Sequence, residues 1–121
     1  MKLTVVRELL EAEVLAGEDK LDKEVSSACG SDLMRDVLAF VKDQELLLTG
    51  LVNGQVIRTA EMMDISAVVF VRGKKPTPEI IELANEYNMV VMTTHLPLYP
   101  ACGKLYSGGL MPGKGQTESH G

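Results

Sequence analysis

The stretch Ala67-Val68-Val69-Phe70-Val71-Arg72-Gly73-Lys74-Lys75-Pro76-Thr77-Pro78 decides how the chain is to be read. Its first five residues are all apolar, three of them β-branched, with no polar alternation. A run of this length and composition is a strand buried on both faces, as in a parallel sheet. It stops at a basic turn around Gly73. Thr77 then stands where a helix N-cap is wanted and Pro78 at the first helical position, where a missing amide costs nothing. Ile80, Ile81, Leu83 and Ala84 form the buried side of that helix, which ends over residues 85–88.

The same grammar repeats on either side. Downstream, residues 89–92 form a further apolar strand running into Thr93-Thr94-His95, and a last helix is expected over 101–106, stopped by Gly108-Gly109. Upstream, residues 46–48 form a short strand ending in Thr49-Gly50, followed by a helix over 55–63 with Asn53 near its cap. Before that, Ser31 or Asp32 caps a helix over 33–41 whose apolar Leu33, Val37, Leu38 and Val41 recur at helical spacing. The chain opens with a helix over 5–11 capped by Thr4. Extended segments follow at 13–16 and 25–29, separated by Gly17 and a charged turn. Three apolar strands alternating with helices through short loops predict an α/β domain, a three-layer α/β/α sandwich with a largely parallel central sheet. The domain is expected to span residues 1–110. Residues 111–121 contain three glycines and almost nothing apolar, and are expected to be a disordered tail.

Composition bounds the function. The 121 residues are 45% hydrophobic and 24% charged, the balance of one ordinary globular domain. Aromatics are 4% with no Trp, and the net charge is -5. Stacking platforms and phosphate-neutralising basic surfaces for nucleic acid are therefore not expected. Residues 1–48 hold 11 acidic and 6 basic side chains while 49–121 hold 6 of each, so the whole negative balance lies in the first part. Cys29 and Cys102 are too few for a Cys-rich zinc or iron–sulfur site. No signal peptide or membrane-spanning run is recognisable, so a cytoplasmic protein with reduced thiols, no metal and no cofactor is expected.

In open α/β sheets ligands sit beyond the carboxyl ends of the strands. That places Ser31, Asp32, Thr49, Asn53, Arg72, Gly73, Lys74, Lys75, Thr94 and His95 as candidate ligand-binding residues. Arg72, Lys74 and Lys75 are the one dense basic cluster, beside a glycine and facing helix N-termini, which suits a phosphate or nucleotide. His95 with Asp32 is a weaker possibility as an acid–base pair, and Cys102 reads as a buried structural thiol. The nucleoside-triphosphate loop, the dinucleotide fingerprint and the serine-hydrolase elbow are all missing from the sequence.

The order of Leu3-Thr4-Val5-Val6, Ala12-Glu13-Val14-Leu15-Ala16-Gly17 and Ser31-Asp32-Leu33-Met34-Arg35-Asp36-Val37-Leu38 resembles the DRTGG domain. The likeness continues through Glu45-Leu46-Leu47-Leu48-Thr49-Gly50 and residues 64–71 to Pro97 and Cys102-Gly103-Lys104-Leu105-Tyr106. It implies an α/β fold related to the N-terminal domain of HPr kinase/phosphorylase. Such domains also occur in phosphate acetyltransferases and in the regulatory regions of some pyrophosphatases, where they are accessory and tend to self-associate. The namesake residues are replaced: Asn53-Gly54-Gln55 with Arg58 stands for the Asp-Arg, and Val71-Arg72-Gly73 for the Thr-Gly-Gly.

The expectation is therefore a non-catalytic regulatory or ligand-sensing domain, a homodimer, holding a phosphorylated small molecule or nucleotide at the strand ends. An alternative, implied by the resemblance alone, is an accessory protein of a hydrogenase-type redox assembly. The family label of iron–sulfur binding is at odds with two cysteines.

Overall fold

A computed structural model of the chain describes residues 1–32, 34, 37 and 45–112. Its regular elements are α1 (Leu3–Leu10), β1 (Glu13–Ala16), β2 (Ala28–Gly30), β3 (Leu46–Thr49), α2 (Gly54–Met62), β4 (Ala67–Phe70), α3 (Pro78–Glu86), β5 (Val90–Thr93) and α4 (Leu98–Ser107). The five strands form one sheet in the order β1-β5-β4-β3-β2. Strands β2 to β5 are parallel, and β1 closes the far edge antiparallel to β5 with an irregularity between Val14 and Ala16. The expected α/β/α architecture is the one observed.

Each β-helix-β unit from β3 to β5 moves one strand along in the same direction. Right-handed crossovers then place α2 and α3 on one face. The chain crosses to the other face only after β5, so α4 joins α1 there. The strand residues divide accordingly with period two. Leu47, Val68, Phe70 and Val91 pack with Val56, Ile57 and Ala60 of α2 and Ile80 and Ala84 of α3. Leu46, Leu48, Ala67, Val69, Val90 and Met92 pack with Leu3, Val6 and Leu10 of α1 and Ala101 and Leu105 of α4. Both faces are covered, which is why the strands read as unbroken apolar runs.

Several element ends differ from the sequence reading. Helix α1 starts at Leu3 with Lys2 as its N-cap, so Thr4 lies inside the helix and is not its cap. The Leu3 and Thr4 amides donate to the carbonyls of Lys23 and Leu21, both at 3.0 Å, so tertiary contacts satisfy amides that a side-chain cap would otherwise serve. The Thr4 hydroxyl instead donates to the Leu21 carbonyl at 2.9 Å. Strand β2 lies at Ala28–Gly30, later than the extended segment expected over 25–29. Helix α4 begins at Leu98, earlier than expected, because Pro100 falls in the first turn, where no intrahelical amide bond is lost. Thr77 is the N-cap of α3 with Pro78 first in the helix, but its hydroxyl accepts no cap bond. Of the helix expected over 33–41, Met34 and Val37 are helical and buried, and the rest lies outside the described residues.

The Ala28 amide donates to the Met111 carbonyl at 3.1 Å and Leu110 is buried, so a C-terminal segment lies along the β2 edge. The boundary expected between 110 and 111 falls within that segment. Residues 113–121 lie outside the described part. No described helix is long and apolar enough to cross a membrane.

Candidate functional site

The parallel register aligns Thr49 with Phe70 and Phe70 with Thr93, so the turns after β3, β4 and β5 leave the sheet side by side. Hydrogen bonds stitch them together. The Val71 amide donates to the Thr49 carbonyl at 3.0 Å, and the Thr94 amide to the Phe70 carbonyl at 2.9 Å. Arg72 and Gly73 both have left-handed backbone, φ 61 and φ 70. That conformation is strained for arginine and free for glycine. It turns the Arg72 amide onto the Leu96 carbonyl and the Gly73 amide onto the Thr94 carbonyl, each at 2.8 Å. The glycine of the basic turn therefore serves the chain's own geometry, and its amide is spent on Thr94.

The threonines are spent in the same way. Thr93 donates its hydroxyl to the Lys74 carbonyl, and buried Thr94 donates to the Leu10 carbonyl at the end of α1, both at 2.6 Å. The Thr49 hydroxyl accepts from the Leu51 amide at 3.1 Å and donates to Asp32 Oδ1 at 3.3 Å. Asp32 Oδ1 also accepts from the buried Gly50 amide at 2.6 Å. Asn53 Oδ1 accepts from the Val56 amide at 3.1 Å and caps α2. Ser31 continues β2 pairing through its amide, which donates to the Leu48 carbonyl at 3.0 Å.

What remains free is cationic. The Arg72 side chain folds back over the β3–α2 turn, so close that a Cβ on Gly50 would lie 2.5 Å from its Nη2. At the other end of that turn, a Cβ on Gly54 would lie 3.3 Å from Arg58 Nη1. Two guanidinium groups thus lie along the five residues Gly50 to Gly54. Among the described residues the ion pairs are Lys20 with Asp19 and Lys75 with Glu13, both at 3.3 Å, so Arg58, Arg72 and Lys74 have no carboxylate partner. The Gly54 and Gln55 amides, first in α2, have no acceptor among the described residues either.

The ten sequence candidates therefore separate into two groups. Ser31, Asp32, Thr49 and Asn53 frame the β3–α2 turn, with Arg72 reaching over it. Gly73, Lys75, Thr94 and His95 line a groove of about 210 Å³ at the β1–β5 side, together with Glu11 and Glu13. Lys74 is exposed between Gly73 and Lys75, and its carbonyl accepts from the Thr93 hydroxyl. His95 is exposed beyond β5 while Asp32 is bonded at the end of β3. Strand β4 intervenes, roughly 10 Å of sheet at the usual strand spacing. The structure does not make them an acid–base pair. Arg58 is absent from the sequence candidates. Its signal was its place four residues after Gly54, since helical side chains lean toward the N-terminus and cover the preceding turn.

The profile of the DRTGG domain matches residues 5–104. The chain belongs to the DRTGG domain family. No match is found among curated proteins. Among solved structures the DRTGG fold is shared with the CBS and DRTGG domains of the regulatory region of Clostridium perfringens pyrophosphatase, complexed with its activator, diadenosine tetraphosphate. The similarity has a TM-score of 0.68 at 20% identity and covers 86% of this chain. This chain spans 45% of the length of that one, so the likeness is one of domain fold.

Proposed function

We propose that this DRTGG chain is a non-catalytic ligand-sensing domain that binds a phosphorylated small molecule, of nucleotide type, at the C-terminal ends of β3 and β4. The observation that carries the reading is the pair of guanidinium groups of Arg58 and Arg72, lying on Gly50 and Gly54 with no carboxylate partner among the described residues. Arginine presents a planar donor fork that matches phosphate, and the first amides of α2 add two further donors. Backbone strain at Arg72 supports the assignment, because a left-handed arginine is kept where the surrounding structure holds it against its preference. The nucleotide class draws support from the diadenosine tetraphosphate activator of the pyrophosphatase region with the same fold.

In this reading Asp32, Thr49 and Asn53 hold the turn, Arg58, Arg72 and Lys74 meet the phosphoryl oxygens, and the Lys75–Glu13 groove with His95 flanks the site. The domain acts in the cytoplasm as a homodimer. Nothing in the geometry favours the hydrogenase-associated alternative.

Thermal shift against ATP, AMP, diadenosine tetraphosphate and tripolyphosphate tests the proposal. A ligand at 100 times its Kd adds about 2.7 kcal/mol. At least one of these should raise the Tm of the wild-type chain and none that of Arg58→Ala/Arg72→Ala. A flat response throughout the panel overturns it.

A further inference from the structure

On the opposite face of the sheet from α2 and α3, the layer under α4 is incomplete at its edge. Strands β3 to β5 present Leu46, Leu48, Val69, Val90 and Met92 toward α1 and α4. Edge strand β2 contributes only Ala28 and Gly30 there. A pocket of about 170 Å³ results, open to solvent on one side, floored by Ala28, Gly30 and Leu48, roofed by Cys102 and Leu105 of α4, and edged by exposed Tyr106 with Leu110 and Pro112.

Its lining is mostly apolar, with the Cys102 thiol and the Tyr106 ring edge as exceptions. Cys29 of β2 borders the pocket while its side chain packs with Leu47 in the layer of α2 and α3, and burial together with the neighbouring Cys102 pushes its thiol up to about 12. Burial raises Cys102 as well. Both therefore stay protonated at neutral pH and behave as small apolar groups with weak donors. The pocket opens to solvent on one side, so an apolar guest gains by leaving water and covering the apolar floor and roof. The place is separate from the Arg58–Arg72 turn, which is reached from the C-terminal edge of the sheet.

We infer that the cavity between β2, α4 and the Leu110–Pro112 segment is a binding site for one small uncharged apolar molecule of single-ring or fused-ring size. Gly30 sets its geometry. A Cβ there would meet Cys102 Sγ at 2.8 Å and Leu98 Cδ1 at 3.2 Å, so the glycine lets the α4 roof approach the floor of the pocket at Cys102. Cys102 is half-buried and serves as a built-in reporter of occupancy.

The test measures the rate of Cys102 alkylation by iodoacetamide in the full chain carrying Cys29→Ser, read by intact mass, with indole as the apolar probe and benzoate as its charged counterpart. Occupancy by indole should slow alkylation saturably, about tenfold at ten times its Kd by mass action. Benzoate should leave the rate unchanged. Ala28→Leu, which fills the floor, should abolish the indole effect; if that variant fails to fold, Ala28→Val takes its place. Alkylation unaffected by indole up to its solubility limit overturns the inference, as does equal protection by benzoate. Full indole protection in the filled variant overturns it too.

Discussion

Gly50→Ala separates the fold of the β3–α2 turn from its binding role. An added Cβ would lie 2.5 Å from Arg72 Nη2, 3.1 Å from Cζ and 3.3 Å from Nε. These three nearest atoms all belong to one side chain, and Gly50 is not among the residues with left-handed backbone, so alanine fits its conformation. The group that must yield is the far end of an exposed, flexible side chain. Moving it costs about 0.5–1.5 kcal/mol if it is driven off a favoured rotamer, against a gain of about 0.4–1 kcal/mol from a less flexible unfolded chain. The net change in stability should stay within about 1 kcal/mol, and Tm within about 5 °C of wild type. Binding should suffer more. Displacing the guanidinium forfeits a charge-assisted hydrogen bond of about 1.5–3 kcal/mol, which weakens phosphoryl-ligand affinity about 10- to 150-fold. Scanning calorimetry gives the first quantity and titration calorimetry with the best ligand of the panel the second. A Tm lowered by more than about 10 °C would show that the turn needs glycine for folding. A wild-type Tm with wild-type affinity would show that Arg72 does not hold the ligand.

Arg72→Gly removes the left-handed strain of the arginine and should raise stability by up to about 1 kcal/mol in urea melts while weakening ligand binding; a destabilised variant would contradict this. Thr94→Val leaves the Leu10 carbonyl without its 2.6 Å donor inside the core, and should cost about 1–3 kcal/mol, read as a lower denaturation midpoint. The Cys29 thiol, raised from 9.0 to about 12, binds its proton more tightly when folded. Its contribution is therefore complete below pH 9 and lost as pH rises toward 12, so Cys29→Ala should flatten the fall of stability across that window.

Much of this architecture was legible because the strands are buried on both faces. Residues 67–71 announce a central parallel strand without help from the rest of the chain, and Pro78 marks the start of α3 because proline tolerates few other helical positions. The start of α1 was not legible. Its first amides are satisfied by the carbonyls of Lys23 and Leu21, partners about twenty residues away that no local cap signal reveals. The basic turn was seen, but the use of its backbone was not. The Gly73 amide bonds to Thr94, a contact set by the register of β4 and β5, so at Gly73 the loop has no free amide to offer a ligand. Arg58 escaped for a related reason: it belongs by sequence to the body of α2 and by side-chain direction to the turn before it. His95 and Asp32 both follow strands, and only the strand order shows that β4 stands between them.

The most direct test of the two-arginine site is titration calorimetry of tripolyphosphate into the wild-type chain, Arg72→Ala and Arg58→Ala/Arg72→Ala. Affinity should fall by about tenfold or more with the first arginine and further with the second. Equal affinity in all three proteins would contradict the assignment of the phosphoryl site to the β3–α2 turn.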